Sequence, residues 1–234
     1  MRNRNVTIWV MVVAVSLGST AAQAVIYFND GGVNNIDWTI SDEVGVDYQA
    51  PGMQTTFNLL TGGYVRNSLI GYEDSRINLL GGRVWRALGS FGRSKVNISA
   101  GLIERSLYAW NSSQVDISGG QIQGGLTASD SSQVYMSGGT VEGAFELNND
   151  SLLTIHGSDF AVDGSPVGYG DITSILGGWW WDEPRRHLTG MLLSGEHIAN
   201  DFYMDQNARI ALVPEPATLL LLGLGAVMVF RKKP

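Results

Sequence analysis

The stretch QVDISGGQIQ, from Gln114 to Gln123, returns nineteen residues later as QVYMSGGTVE, from Gln133 to Glu142. From Ile77 onward the chain can be set in rows of nineteen without a gap, and one row can be added before it from Gly62. Four columns of these rows are apolar throughout. They contain Ile77, Val96, Val115, Val134 and Leu153; Leu79, Ile98, Ile117, Met136 and Ile155; Val65, Val84, Ile103, Ile122, Val141 and Phe160; and Leu69, Leu88, Leu107, Leu126 and Phe145. A gapless period with β-branched columns predicts a solenoid whose coils stack on one continuous core.

The arrangement within a row predicts strands. The first two columns lie two residues apart, as in a strand with one buried face. Glycines then mark a corner, at Gly81, Gly119, Gly138 and Gly157, where a backbone without Cβ can turn or approach closely. We expect a second short strand to carry the third and fourth columns, and a polar turn to close each row at Ser75, Ser94, Ser113, Ser132 and Ser151.

The predicted fold class is all-β: a single-stranded, short-coil parallel β-helix, or β-solenoid, with about 19 residues per coil and a cap at each end. Caps are expected because an open solenoid end is an exposed sheet edge. The alternative is an antiparallel sandwich of short strands, although a sandwich has no reason to keep a gapless period. The segment FNLLTGG, from Phe57 to Gly63, needs a one-residue shift, so the register is expected to break there.

The first residues have the pattern of a secretory leader. Arg2 and Arg4 form a positive start, an apolar run from Val6 to Gly18 follows, and AQA at 22–24 offers small residues for cleavage after Ala24. A retained transmembrane helix is the alternative, but the run is shorter than the roughly 20 residues that a bilayer requires.

The last residues form a second signal, VPEPATLLLLGLGAVMVFRKKP. An apolar run from Ala217 to Phe230 is followed at once by Arg231, Lys232 and Lys233. The run is short for a permanent span, while the basic cluster would hold it on the cytoplasmic side. These properties predict a transient membrane anchor, with a plain C-terminal membrane helix as the alternative.

The order of Pro214, Glu215 and Pro216, an apolar segment and a basic tail resembles the PEP-CTERM sorting signal of bacterial surface proteins. The resemblance implies recognition by an exosortase, a membrane cysteine protease, and association with exopolysaccharide or biofilm matrix. The same tail is also known as an ice-binding protein C-terminal domain, a name that says nothing about activity. Together with the SxVxISGG rows, the tail resembles that of bacterial surface proteins built from such repeats.

These patterns divide the chain into five segments: a signal peptide at 1–24, an N-terminal cap and first coil at 25–56, the solenoid repeats at 57–171, a C-terminal cap at 172–213 and the sorting signal at 214–234.

Composition narrows the possible partners. Residues 25–213 contain ten basic and twenty-one acidic residues, a net charge of about −11. Such a body repels phosphate backbones, so nucleic-acid binding is not expected. The chain has no cysteine, so packing and backbone hydrogen bonds must stabilise the exported fold without disulfides.

The sequence contains no pattern that predicts a catalytic, metal or cofactor site. Glu104 and Glu142 lie two rows apart, about 10 Å at a strand spacing of about 4.8 Å, which suits an inverting hydrolase but is more typical of a solvated face. The three histidines, His156, His187 and His197, are scattered without metal-ligand spacing. An ice-binding surface would need a flat array in which threonine or a similar residue points outward on every coil, whereas the outward residues here vary from coil to coil.

The stretch GGWWWDEPRR, from Gly177 to Arg186, is the most unusual in the chain. Trp179, Trp180 and Trp181 predict either a plug at the solenoid end or an exposed platform on which sugar rings stack. Tyr72, Phe91 and Trp110 share a column and predict a stacked aromatic ladder. We therefore expect a non-enzymatic surface protein with a structural or binding role in the envelope or exopolysaccharide matrix. Its rivals are a carbohydrate-binding adhesin that uses the tryptophans and, less favoured, a polysaccharide lyase or hydrolase or an ice-binding protein.

Overall fold

The computed structural model describes residues 24–172, 186–205 and 207–215, and within them it contains twenty-one strands and no helix. The signal peptide, the tryptophan stretch and the apolar tail lie outside the described residues. Successive coils pair in parallel, with Val96 beside Val115 and Val115 beside Val134. The predicted β-solenoid with coils about 19 residues apart is confirmed, and the sandwich alternative is wrong.

Each coil has three faces. The strands that begin on the first face are β2 (Val33–Ile36), β5 (Thr56–Leu59), β8 (Arg76–Val84), β10 (Lys95–Ile103), β12 (Gln114–Ile122), β14 (Gln133–Val141), β16 (Leu152–Val162) and β21 (Arg209–Pro214). The second face consists of β3 (Thr39–Ile40), β6 (Tyr64–Val65) and the far ends of the long strands β8, β10, β12 and β14. The third face contains β1 (Val25–Phe28), β4 (Glu43–Val46), β7 (Leu69–Gly71), β9 (Leu88–Ser90), β11 (Leu107–Ala109), β13 (Leu126–Ala128), β15 (Phe145–Leu147) and β20 (His197–Met204).

The three faces correct the predicted second strand. The third apolar column lies at the end of the long strand, at Val84 in β8 and Ile103 in β10, whereas the fourth column has a short strand of its own. The sequence shows the spacing of the two columns but not the turn between Val84 and Leu88, so sequence alone predicts one strand for both.

The register matches the predicted break near the N-terminus. Val33 pairs with Thr56, 23 positions later, Phe57 pairs with Ile77, 20 positions later, and Ile77 pairs with Val96, 19 positions later. The one-residue shift at Phe57 is therefore confirmed, and the spacing of nineteen holds from β6 onward, where Val65 pairs with Val84.

The corner glycines are required by close packing between coils. A Cβ on Gly119 would overlap the carbonyl oxygen of Ser99 in the coil below, and Gly120 has a positive φ of 83°. Ala100 takes the first glycine's place in its own coil, where the ladder with β8 shifts register on both sides of it. The ladder between β12 and β14 shifts register at the same corner, so the bulge is a regular feature of this corner and is not specific to Ala100.

The interior is filled by the four apolar columns, and nearly all their residues are buried. The serines predicted to close the rows in polar turns are also buried; they are Ser75, Ser94, Ser113, Ser132 and Ser151. Ser94 lies 2.7 Å from Ser90, hydroxyl to hydroxyl, whereas the hydroxyls of Ser75 and Ser113 have no partner among the described residues. A small side chain fits this tight inner corner, so size rather than polarity places serine there.

An asparagine ladder runs along the outer side of the first face. The side-chain amide of Asn58 donates to Asn35, that of Asn78 donates to Asn58 and that of Asn97 donates to Asn78, each at 2.7 Å. The ladder ends at Asp116, which pairs with Asn97 in register but presents a carboxylate, so neither oxygen can donate.

We expect Asp116→Asn to extend this ladder and to raise the free energy of unfolding by about 1 kcal/mol, the usual net value of one added hydrogen bond. The new amide would donate to Asn97 while its oxygen keeps the 3.0 Å bond from the Gln114 amide. Urea unfolding measures the change. Asp150→Asn, which alters the charge equally at an exposed turn, is the control, and an equal gain in both variants would trace the effect to net charge instead.

The C-terminal segment closes the stack with strands of both directions. β17 (Ser165–Pro166) and β18 (Gly170–Asp171) follow β16, and β19 (Arg186–Leu192) runs antiparallel to β16. β20 then stacks in parallel on β15, and β21 stacks in parallel on β16 while β18 covers its other edge. The segment predicted as a cap thus contributes the last strands of the first and third faces.

Candidate functional surfaces

The sorting signal begins inside the folded solenoid. β21 pairs with β16 along its whole length, and the ladder ends with Val213 beside His156 and Pro214 beside Gly157. Ile210 and Leu212 of the same strand are buried in the core. Pro214 is thus held at the end of the stack and Glu215 follows it directly, whereas Pro216, Arg231, Lys232 and Lys233 lie outside the described residues.

This junction leaves no spacer between the fold and the apolar run. Only Glu215 and Pro216 separate Pro214 from Ala217, a reach of at most about 11 Å. A membrane that held the apolar run would therefore lie close to the C-terminal end of the solenoid.

The carboxylates considered for hydrolysis are engaged in surface pairs. Glu104 accepts from the Arg83 guanidinium at 2.6 Å, and Glu142 accepts from the Gln121 amide at 2.5 Å. They share a column two coils apart, as predicted, with Gln123 between them.

The histidines remain apart in the fold. His187 lies 2.9 Å from Asp201, ring nitrogen to carboxylate oxygen, while His197 is exposed at the start of β20 and His156 is half-buried in β16. In the part of the chain that the structure describes, no three acidic or histidine side chains come together in a group that could hold a metal ion.

The predicted aromatic ladder is confirmed and is longer than expected. The rings of Tyr72 and Phe91 stack at 5.8 Å, and Phe91 meets Trp110 edge to face at 5.3 Å. Tyr48 extends the ladder at 4.9 Å from Tyr72, and Tyr27 stacks on Tyr48 at 5.1 Å. Burial is the main cause that raises the pKa of Tyr72. Because neighbouring rings cover one another's faces, the ladder stabilises the third face and offers little flat surface to a sugar.

The tryptophan stretch from Trp179 to Trp181 lies outside the described residues, so both interpretations of it stay predictions. Other exposed tryptophans are found on the solenoid itself. Trp38, Trp85 and Trp110 are between 42% and 50% exposed, and the guanidinium of Arg86 lies 5.6 Å from the ring centre of Trp85.

A band of basic charge surrounds the middle coils, and the sequence prediction missed it. Residues 24–61 contain five acidic and no basic residues, and residues 106–172 contain eight acidic and no basic residues. Between them, residues 62–105 contain three acidic and seven basic residues, a net charge of +4. We call the seven the basic belt: Arg66, Arg76, Arg83, Arg86, Arg93, Lys95 and Arg105. Counting charge row by row would have revealed the belt, but the net charge of the whole body hid it.

Comparison with protein families identifies the C-terminal signal. A model described as the PEP-CTERM protein-sorting motif matches residues 212–233, so the motif overlaps the end of β21. No curated protein and no solved structure matches the chain. The motif indicates that the protein is exported, sorted to the cell surface and processed by an exosortase. Residues 24–172, 186–205 and 207–215 include no helix long and apolar enough to cross a membrane.

Proposed function

We propose that the protein is a non-enzymatic structural or binding component of the bacterial cell envelope or exopolysaccharide matrix, delivered there by its sorting motif. The observation that carries the proposal is the junction at Pro214, where the Pro-Glu-Pro of the motif starts at the last ladder residue of the solenoid. Membrane insertion of the apolar segment is transient in this proposal and ends when the exosortase acts.

The direct junction favours a structural role. A flexible spacer would let a domain move freely, whereas β21 is held by β16 on one side and by β18 on the other. The solenoid therefore projects from the surface with its coils stacked away from the attachment point. Such a rod exposes the outer sides of its coils to the surrounding polymer.

The proposal assigns no hydrolase or lyase activity, because Glu104 and Glu142 are committed to side-chain partners. The adhesin alternative rests on Trp179, Trp180 and Trp181 in the sequence. Reducing-end release from acidic and neutral polysaccharides is the assay for activity, and release above background by the purified protein would contradict the non-enzymatic proposal.

We expect replacement of Pro214, Glu215 and Pro216 by alanine to block processing. Intact mass should then show the tail still attached, and the protein should move from the outer surface or medium into the membrane fraction of its host. The fold should be unaffected because a proline contributes no N–H to the ladder and alanine fits a strand.

The control variant is Pro166→Ala, which removes a proline from a different strand position and should leave mass and location unchanged. A triple variant that is processed and exported like the unmodified protein would contradict the role of the motif. A full-length tail retained in the membrane of the unmodified protein would make the segment an ordinary anchor.

A further inference from the structure

The strongest unassigned feature is a polar groove of about 240 Å³ on the basic belt, at the start of β8 and β10. Its walls contain Arg76, Arg93 and Lys95 together with Asp74 and Thr56. Three cations and one carboxylate give the groove a positive charge, within a body whose net charge is negative.

Two of the cations face each other without a counter-charge. Arg76 and Lys95 pair in register on adjacent strands, about 4.8 Å apart. Like charges directly opposite in a ladder are destabilising. Neither side chain has an ion pair or hydrogen bond to another described residue, and both are exposed.

The third cation is held in place by the only carboxylate of the groove. Arg93 donates two hydrogen bonds to Asp74, at 2.8 and 2.7 Å. The side-chain hydrogen bond from Arg93 is the main cause that lowers the pKa of Asp74, so this pair stays charged and internally neutralised. The charges of Arg76 and Lys95 are therefore left over for an external partner.

The repeat itself shows that the fold does not need cations at this position. In the next two coils the same ladder position contains Gln114 and Gln133, which pair in register with each other, and in the preceding coil it contains Thr56. Neutral residues therefore satisfy the strand, and Arg76 with Lys95 adds electrostatic cost without structural need.

We propose that this groove binds the carboxylate groups of an acidic polysaccharide. The inference rests on the proposed matrix function and specifies its ligand and its site. A guanidinium binds a carboxylate through two parallel hydrogen bonds, and the neighbouring ammonium adds a second charge-assisted contact.

The position of the groove favours a polysaccharide over an anionic membrane. On the first face β12, β14 and β16 lie between β10 and β21, so the groove is about 19 Å from the end that carries the sorting motif. The eight acidic residues of 106–172 occupy the intervening coils and repel anionic lipid. The groove instead faces the space in which a matrix polymer would lie.

The test compares binding of polygalacturonate, neutral dextran and anionic phosphatidylglycerol vesicles by the full protein recovered from its host. The double variant Arg76→Gln/Lys95→Gln copies the Gln114–Gln133 pair of the later coils. The matched control, Arg186→Gln/Arg209→Gln, removes two cations outside the belt and changes the net charge equally. Urea unfolding is measured for all three proteins.

We expect the unmodified protein and the control to bind polygalacturonate with an affinity that falls as salt rises, and to ignore dextran. The groove variant should bind at least about tenfold more weakly, since two charge-assisted contacts are lost. Its stability should equal or exceed that of the unmodified protein, because the repulsion between the two cations is gone. A site that only stabilises the fold would show the opposite pattern.

Three results would overturn the inference. Equal binding by the groove variant would place the acidic ligand elsewhere, with the tryptophan stretch as the next surface, and would leave the matrix function intact. Binding to vesicles but not to polygalacturonate would make the partner a lipid headgroup. Failure of the unmodified protein to bind polygalacturonate would reject the ligand, while its location at the cell surface, measured separately, would still decide the proposed function.

Discussion

Replacing Phe145 with alanine is expected to lower the free energy of unfolding by about 3–5 kcal/mol, the range for removing a fully buried aromatic ring. Phe145 is completely buried in β15, between Leu126 of the coil below and Phe202 of the strand above. The cavity would lie where β20 docks, so the loss should loosen the C-terminal strands that lead to the sorting motif.

Urea unfolding followed by tryptophan fluorescence measures this effect. Glu146→Ala is the matched control in the same strand, because its exposed side chain only accepts a 3.2 Å hydrogen bond from Thr127. The control should change stability by less than about 0.5 kcal/mol. A loss below about 1 kcal/mol for Phe145→Ala would mean that β15 and β20 do not share a packed core.

Replacing Gly119 with valine is expected to cost about 3 kcal/mol or more, the upper part of the range for overpacking a tight site. Any Cβ at this position overlaps the backbone carbonyl of Ser99, and a backbone atom cannot rotate away as a flexible side chain could. The two coils would have to separate at their shared corner, which would weaken their ladder on either side.

Thermal unfolding of Gly119→Val and Gly168→Val provides the comparison. Gly168 has open space around the position of its Cβ and no positive φ, so its substitution should be nearly neutral. If both variants unfold at the same temperature, the corner is more adaptable than its packing indicates. Such a result would match Ala100, a residue with a Cβ that the same corner holds in the coil below.

The repeat determined most of the fold from the sequence alone. Each column fixes which residues stack in register, so Val115 beside Val134 and the ladder from Phe91 to Trp110 follow from the spacing of nineteen. The C-terminal sorting motif could also be recognised from the sequence, because its parts are contiguous and need no tertiary contact.

Tertiary structure decided the features that depend on where a coil bends. The spacing of columns could not show that Val84 and Leu88 belong to different faces, because a turn of three residues leaves no distinct composition. It also could not show that Ser113 is buried, since serine suits both an exposed turn and a cramped corner. The column of Asn111, Asp130 and Asn149, all with positive φ, is visible in the sequence, but its bonds across coils appear only in the fold.

The sorting motif and the basic groove likewise depend in part on the sequence and in part on the tertiary structure. The sequence specified the sorting motif, whereas the fold placed Pro214 in the last ladder and so removed any spacer between rod and tail. The sequence contained the charges of Arg76 and Lys95, but only the parallel stacking of β8 on β10 makes residues nineteen apart direct neighbours. Local sequence thus determines the strands and the buried columns of each coil. The stacking of coils decides which charges become neighbours, because interactions across the ladder join residues that are distant along the chain.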